Sequence, residues 1–339
     1  MIDYSFFPFD REKTLGDIGK EGLTQALQKM LLIRNFETRA EACYLQGKIG
    51  GFFHSYIGQE AIQTAALMTM GPKNWWVTTY RCHALALLLG ATPEEIMSEL
   101  FGRANGNAKG RGGSMHLYTD RLLGGFGIVG GQVPIATGAA FTISYLDIKD
   151  EIAVCFMGDG AVAQGAVYEA FNMAALYKLP CLFVIENNQW SMGTHLSRSH
   201  AVDKLAETKA QGFGMEGYTL DGMDYLCCYA GFKTLHQKIL TDRKPILVEV
   251  VSERFKGHSI SDPALYRSKE TLKQAMERDP IALLKNLMIS KGFLDEETFK
   301  EMDKKMREIA VHAVDHAESS PWPDPKTLEQ DVFAPSGRS

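Results

Sequence analysis

The chain has 339 residues, of which 45% are hydrophobic and 23% charged, a composition typical of a soluble globular protein. Its formal net charge of −5 gives no broad basic surface, so we expect neither nucleic acid nor an anionic membrane as a partner. The N-terminus, MIDYSFFPFDREK, lacks the basic-then-apolar pattern of a secretory signal. The six cysteines contain no C-x-x-C pair, which together with this N-terminus favours a cytoplasmic protein.

The first part of the chain is predicted to be mainly helical. In chain order, the residue patterns predict a loosely structured lead over 1–20, a helix over 24–46, a helix over 58–70, a strand over 75–80 and a helix that begins at Pro93. The segment 101–131 is dense in glycine and is predicted to be a loop. A loop of this length inside a compact domain is usually functional.

Strands and helices alternate through the second part of the chain. The predicted elements are a helix over 134–146, a strand over 152–157, a helix over 164–177, a strand over 181–186, a helix over 225–240 and a strand over 245–251. This alternation indicates an α/β fold with a parallel sheet and helices on both faces. We expect one domain over 21–320, helical from about residue 269, and a C-terminal coil over 321–339.

The stretch CFMGDGAVAQG sets Asp159 between two glycines directly after a predicted strand. Backbone amides at such a turn can bind a phosphate, but the carboxylate of Asp159 would repel it. A magnesium ion between the two would bridge them, and Asn187 and Asn188 after the next strand could supply a further oxygen. Taken singly, Asp159 could simply cap a helix, and Asn187 and Asn188 could simply form a turn. Their combination at this spacing predicts a site for Mg²⁺ and a diphosphate.

The G158-D159-G160 and N187-N188 pattern resembles the GDG…NN signature of thiamine-diphosphate enzymes. Further blocks match in order: HSYIGQEA, TYRCHALAL, GRGGSMHLY, GFGIVGGQVPIATG, NMAALYKLPCLFVIENN and GHSISDPALYRSKE. Over about residues 36–322 the chain resembles the α subunits of the decarboxylating component of 2-oxo acid dehydrogenase complexes. This resemblance implies the thiamine-diphosphate-binding fold, with thiamine diphosphate and Mg²⁺ as cofactors.

The resemblance also implies roles for individual residues. Those expected to bind Mg²⁺ are Asp159 and Asn188 through their side chains and Trp190 through its backbone carbonyl. Those expected to contact the cofactor are Tyr80, Arg81, Gly127, Val129, Gly158, Gly160 and Ala161, together with Asp159 and Asn188. Ile128 would help to hold thiamine in its bent shape. The residues expected at the reaction centre are His258, which would also hold the diphosphate, and His54, which would contact the substrate.

In this family the reaction is the oxidative decarboxylation of a 2-oxo acid. When that acid is pyruvate, the reaction passes through hydroxyethyl-thiamine diphosphate. A lipoyl group on the acyltransferase core is then reductively acetylated. The resemblance implies that the carboxylate that activates the pyrimidine ring lies on a separate β subunit, in an α2β2 assembly; Glu37, Glu41 and Glu60 of this chain match no motif for it. The blocks GIVGGQVP and HSISDPALYR favour pyruvate, with branched-chain 2-oxo acids and acetoin as alternatives.

Two other classes of protein are less consistent with the sequence. A Mg-nucleotide-binding phosphotransferase would fit a glycine-rich turn after a strand, but the chain lacks G-x-x-x-x-G-K-[ST]. A non-catalytic interaction subunit would need none of the motif residues, yet Arg81, Asp159, Asn188 and His258 are all intact. The thiamine-diphosphate enzyme is therefore the favoured interpretation.

Overall fold

The computed structural model describes residues 2–330 and residue 332. Within these residues the strands are β1 (Trp75–Thr79), β2 (Leu122–Phe126), β3 (Ala153–Gly158), β4 (Cys181–Asn187), β5 (Trp190–Ser191), β6 (Thr194–His195), β7 (Glu216–Asp221) and β8 (Ile246–Val251). Six of them form one sheet in the order β2-β1-β3-β4-β8-β7, and β5 pairs with β6 in a small hairpin. All neighbours in the larger sheet are parallel.

The helices of the described residues cover both faces of this sheet. They are α1 (Arg11–Leu45), α2 (Glu60–Met70), α3 (His83–Leu88), α4 (Pro93–Leu100), α5 (Gln132–Tyr145), α6 (Gly165–Leu176), α7 (Leu196–Ser199), α8 (Leu205–Gln211), α9 (Tyr225–Asp242), α10 (Lys269–Met276), α11 (Pro280–Ser290) and α12 (Glu296–Ser319). None of them, within the part of the chain that the structure describes, is both long enough and apolar enough to cross a membrane.

The core has two main parts, one on each face of the sheet. Successive side chains of a strand point to opposite faces, and β3 illustrates this. Val154 and Phe156 pack in one cluster with α1, α2 and α9, whereas Cys155 and Met157 pack in the other with α5, α6 and α8. Both faces of the sheet are therefore buried, which confirms the α/β fold predicted from the alternation of elements.

The expectation of a loose lead over residues 1–20 is wrong for its second half, since α1 begins at Arg11. The side chain of Asp10 accepts a hydrogen bond from the amide of Lys13 and caps the helix. Gly19, with φ 66° and ψ 172°, interrupts the helix, so an uninterrupted helical pattern begins only beyond it. Glycine adopts this conformation readily, and its position explains why residues 11–20 lack a clear helical signal.

The sequence patterns identified the central strands but missed both edge strands, β2 and β7. Strand β2 lies inside the segment expected to be a loop and has the sequence LLGGF. Gly125 is required there because a Cβ atom would come within 2.6 Å of the Cys82 side chain. The short 3₁₀ turn Pro325–Thr327 falls in the expected C-terminal coil, of which residues 331 and 333–339 lie outside the described residues.

Candidate active site

A cavity of about 460 Å³ lies at the carboxyl ends of the strands, where ligands of parallel sheets bind. Apart from Ile128, its lining includes the residues to which the sequence assigned a role at the metal, the cofactor or the reaction centre, namely His54, Tyr80, Arg81, Gly127, Val129, Gly158, Asp159, Gly160, Ala161, Asn188, Trp190 and His258. Ile128 does not line it and is 77% exposed. The predicted role of Ile128 in holding thiamine therefore stays a prediction.

Asp159 is a buried carboxylate at the end of β3. It precedes a 3₁₀ turn, Gly160–Ala163, and α6 begins only at Gly165. Its Oδ2 accepts a hydrogen bond of 3.1 Å from Ser191 Oγ, and burial raises its pKa to about 6. A Cβ atom on Gly160 would lie 2.3 Å from Ser191 Oγ, so glycine is needed for the two loops to meet. Among the described residues Asp159 has no ion-pair partner, which suits it to a bound cation.

Asn188 and Trp190, from the loop after β4, line the same cavity as Asp159 and carry further oxygen atoms. The Nδ2 atom of Asn188 donates to Gln59 Oε1 at 3.2 Å, and its Oδ1 accepts from the Trp190 amide at 3.4 Å, which leaves one lone pair of Oδ1 for a metal ion. The Trp190 carbonyl accepts a hydrogen bond of 3.3 Å from Arg254 Nη1. In residues 2–330 no cluster of three or more His, Cys, Asp and Glu side chains could hold a metal ion. A metal here would depend on carboxylate, amide and carbonyl oxygens, which are ligands for Mg²⁺.

Two buried arginines give the cavity a positive charge. The guanidinium of Arg81 donates to the carbonyls of Ser55 and His258 at 2.7 and 2.6 Å, and burial lowers its pKa to about 10. Arg254 donates to the Tyr266 hydroxyl at 2.7 Å. Within the described part of the chain neither arginine pairs with a carboxylate. Buried cations of this kind favour an anionic ligand such as a diphosphate.

His54, Tyr80 and His258 form an aromatic cluster on one wall of the cavity. The His54 ring centroid lies 4.3 Å from that of Tyr80 and 5.1 Å from that of His258. Burial, followed by the nearby Arg81 charge, lowers the pKa of His54 to about 2 and that of His258 to about 4. Both imidazoles are therefore neutral at neutral pH. Nδ1 of His54 is buried and has no hydrogen-bond partner among the described residues, so it is available to a ligand.

The lining of the cavity contains one carboxyl group besides Asp159, that of Glu186. It accepts hydrogen bonds from the Tyr56 hydroxyl and, at 3.1 Å, from Gln63 Nε2. Burial raises the pKa of Glu186 to about 7. Two protein donors thus hold this carboxyl group. The sequence predicted that Glu186 lies in a strand but assigned it no role.

Three further residues of the site were missed by the sequence analysis. Arg254 lies just beyond β8, and the rule that singled out Arg81 beyond β1 could have found it. Gln59 belongs to the HSYIGQEA block, but a glutamine there carries no distinctive chemical signal. Ser191 contacts Asp159 from the β5–β6 hairpin, whose two-residue strands are too short to be recognised by periodicity.

The donor set fits a diphosphate bound together with a divalent cation. Arg81 and Arg254 supply buried positive charge to an anion, whereas Asp159 supplies a buried negative charge to a metal ion. The unpartnered buried Nδ1 of His54 and Oε1 of Gln132 are further polar atoms that a ligand could satisfy. An anion bound alone would leave the negative charge of Asp159 uncompensated. A metal ion bound alone would leave the positive charges of the two arginines uncompensated.

Comparisons with known proteins identify the family of the chain. The family described as "Dehydrogenase E1 component" matches residues 28–326. The pyruvate dehydrogenase E1 component subunit alpha of Rickettsia conorii is 44% identical over 93% of this chain and 96% of its own length. That of Rhizobium meliloti is 41% identical over 94% and 92%, and the chloroplastic subunit alpha-3 of Arabidopsis thaliana is 39% identical over 94% and 76%. The chain therefore belongs to the dehydrogenase E1 component family.

Proposed function

We propose that the chain is the α subunit of a pyruvate dehydrogenase that binds thiamine diphosphate with Mg²⁺ and decarboxylates pyruvate oxidatively together with a β subunit. The observation that carries this proposal is a single cavity lined by Asp159, Asn188 and Arg81. Identity of 44% to a protein named pyruvate dehydrogenase E1 component subunit alpha supports pyruvate over a branched-chain 2-oxo acid or acetoin.

The proposed metal site uses the side chains of Asp159 and Asn188 and the carbonyl of Trp190. Arg81 and Arg254 would donate charge-assisted hydrogen bonds to the diphosphate. Further donors in the same cavity are the Tyr80 hydroxyl and the amides of Gly160 and Ala161. This arrangement would hold the cofactor by its diphosphate, in a cavity whose lining also contains His54 and His258. When bound, thiamine diphosphate supplies the electron sink for loss of carbon dioxide from a 2-oxo acid.

The two neutral histidines would act at the reacting end of the cavity. Since their pKa values lie well below neutral, each ring can donate one hydrogen bond and accept another without adding charge. We assign His54 to the substrate and His258 to the diphosphate near the reaction centre. Gly127 and Val129 would contact the pyrimidine ring. Apolar residues of the lining would exclude water, namely Phe52, Met115, Phe126 and Met192.

A β subunit is the proposed partner, in an α2β2 assembly. Helices α5 and α6 expose an apolar surface, the α5–α6 patch, formed by Phe141, Tyr145, Met173, Leu176 and the adjoining Tyr177. Tyr145 is 80% exposed, and the Phe141 ring packs against both tyrosines at centroid distances of 6.4 and 5.9 Å. Apolar patches of this kind mark protein interfaces. The relatives are named as alpha subunits, which supports a β chain as the occupant.

The proposals for the product and for the partner that accepts it rest on the same family. The product would be passed to a lipoyl group on an acyltransferase core, so that the whole complex yields acetyl-CoA. We propose the cytoplasm as the location. The six cysteines are all free and buried, which fits a reducing compartment.

Thermal unfolding of the α–β complex with added cofactor tests the binding site. We expect thiamine diphosphate with Mg²⁺ to raise the free energy of unfolding by about 2.7 kcal/mol at 100 times its dissociation constant. Mg²⁺ with ATP should leave it unchanged. An Asp159→Asn variant should lose the dependence on Mg²⁺. Stabilisation by ATP, or none by thiamine diphosphate, would contradict the proposal.

A further inference from the structure

Residues 2–10 form an N-terminal arm that precedes the part of the chain matched by the family, residues 28–326. The arm lies against β7, the edge strand of the sheet. The amide of Phe7 donates to the Thr219 carbonyl at 2.7 Å, and the Phe7 ring packs against Tyr218 with centroids 5.9 Å apart. Ile2, Phe7 and Phe9 pack against the core as partly buried side chains. The arm is thus fixed to the domain at several points.

From this edge the arm reaches the end of β4. The hydroxyl oxygen of Tyr4 accepts a hydrogen bond of 3.2 Å from Nδ2 of Asn187. Asn187 is fully buried and directly precedes Asn188, a proposed metal ligand. Its Nδ2 also donates to Glu249 Oε1 at 2.6 Å, and its Oδ1 accepts from the amide of Gln189 at 2.8 Å. Both hydrogens and the oxygen of the Asn187 amide are therefore engaged.

The bond to Gln189 fixes the turn on which the site depends. Gln189 has φ of +66°, a conformation that non-glycine residues rarely adopt and that needs support from its surroundings. Glu249 is itself held by the amides of Leu205 and Ala206, at 2.7 and 3.2 Å from its Oε2. The arm, β4, β8 and the start of α8 thus meet at one buried amide. The orientation of Asn187 determines the position of the turn between Asn188 and Trp190.

We propose that the N-terminal arm is a positioning element for the proposed metal site, with Tyr4 acting through Asn187. The inference rests on the proposed function. Without the Tyr4 hydroxyl, one N–H of the buried Asn187 amide loses its partner, and the side chain can turn away from Gln189. The Asn188 oxygen and the Trp190 carbonyl then lose their fixed geometry, although neither is altered. Residues behind metal ligands commonly tune affinity in this way.

The test compares Tyr4→Phe and a deletion of residues 2–9 with the wild-type α–β complex. Calorimetric titration with Mg²⁺ at saturating thiamine diphosphate should give a dissociation constant about tenfold higher for Tyr4→Phe, and higher still for the deletion. Hydrogen exchange of the peptide over residues 187–195 should become faster. Tyr225→Phe is the matched control, because it also removes a tyrosine hydroxyl, that of a buried residue whose hydroxyl lacks a hydrogen-bond partner among the described residues.

The outcomes separate this inference from the proposed function. If wild-type complex binds Mg²⁺ and thiamine diphosphate, but Tyr4→Phe matches Tyr225→Phe in both affinity and exchange, the positioning role is refuted and the function stands. A lower melting temperature of Tyr4→Phe with unchanged affinity would equally refute it, since that result reports a purely structural contact. If the wild-type complex binds no thiamine diphosphate, the proposed function fails, and this inference fails with it.

Discussion

Arg81 and Arg254 bring two guanidinium groups, 4% and 2% exposed, to the carboxyl end of the sheet beside the buried Asp159. Their hydrogen bonds go to backbone carbonyls and to the Tyr266 hydroxyl, so their charges are not neutralised by carboxylates of the described chain. Burying charge without a partner is unfavourable. A bound anion that compensates both arginines would therefore gain more here than at the protein surface.

Replacing Arg254 by methionine should weaken thiamine diphosphate binding about 10- to 100-fold, because charge-assisted hydrogen bonds contribute about 1.5–3 kcal/mol. Calorimetric titration of the α–β complex measures the change. Arg243→Met is the control, since Arg243 also donates to backbone carbonyls, those of Ile148 and Lys149, but lies outside the cavity lining. Equal affinities for both variants would remove Arg254 from the site.

Glu99 organises the glycine-rich segment that leads to the cavity. Its fully buried carboxylate accepts hydrogen bonds from four backbone amides, those of Ala108, Gly110, Gly112 and Gly113, at 2.6–3.2 Å. This segment continues to Met115, which lines the cavity. One side chain thus replaces regular secondary structure as the acceptor for the amides of this loop.

Glu99→Gln should lower the free energy of unfolding by about 2–4 kcal/mol, because the new amide group would face backbone donors instead of accepting from them. Urea denaturation measures the loss. Glu95→Gln, on the exposed side of the same helix, alters only the capping box with Thr92 and should cost about 1 kcal/mol or less. A Glu99 variant as stable as the Glu95 variant would contradict this role.

At the residue level, sequence alone identified the groups with a distinctive local setting. Asp159 stands between glycines after an apolar strand, and Asn188 follows the next strand, so the sequence pointed to both, and both line the cavity. Arg254 is one of 36 lysines and arginines, and its burial arises only when β8 packs beside β4. Tyr4 was missed for a related reason, since its contact with Asn187 joins residues 183 positions apart.

At the level of elements, burial decided which strands could be predicted. Strands β3, β4 and β8 have neighbours on both sides and helices on both faces, so their sequences are mostly apolar, apart from Glu186 and Asn187 at the end of β4 and Glu249 within β8. Each edge strand has one neighbour, β1 for β2 and β8 for β7. Their sequences, LLGGF and EGYTLD, include glycine, acidic or exposed residues. Edge position thus removed the pattern on which prediction depends.

Helix α9 carries a buried titratable group, His236, whose pKa burial lowers to about 4. The unfolded chain binds a proton at His236 below about pH 6.5 but the folded chain does not, so stability is complete above that pH and falls as the pH drops towards 4. Urea denaturation at several pH values gives the free energy of unfolding as a function of pH. Between pH 4 and 6.5 its slope should be about 1 kcal/mol per pH unit smaller in His236→Leu than in the wild type, because partial solvent screening reduces the ideal value of about 1.4. An unchanged slope would contradict the buried neutral state.

At the level of the whole molecule, the α5–α6 patch and the cavity lie on a chain that is proposed to be half of an enzyme. The loop from Gly127 to Gly130, which lines part of the cavity, leads directly into α5. The patch itself lies on the C-terminal turns of α5 and α6, about 14–20 Å along α5 from its cavity-lining first residue, Gln132, so a subunit that reaches both would have to extend along this helix. The sequence indicated the need for such a partner through a missing motif, but the exposed surface became evident only from the fold.

Phe141→Asp should disrupt this assembly, because the carboxylate would have to be buried in an apolar interface. Light scattering of co-expressed chains should show loss of the α2β2 mass. Leu45→Asp is the control: Leu45 is also exposed, at 70%, but lies at the end of α1. An intact assembly with Asp at position 141 would exclude the patch as the interface.

Pyruvate-dependent reductive acetylation of a lipoyl domain by the co-purified α–β pair tests the central claim most directly. With thiamine diphosphate and Mg²⁺ present, we expect turnover with pyruvate to exceed that with 2-oxoisovalerate or acetoin, and Asp159→Ala to abolish it. The α chain alone should show negligible activity. Preference for another substrate, full activity of the Asp159 variant, or robust turnover by the isolated chain would contradict the account.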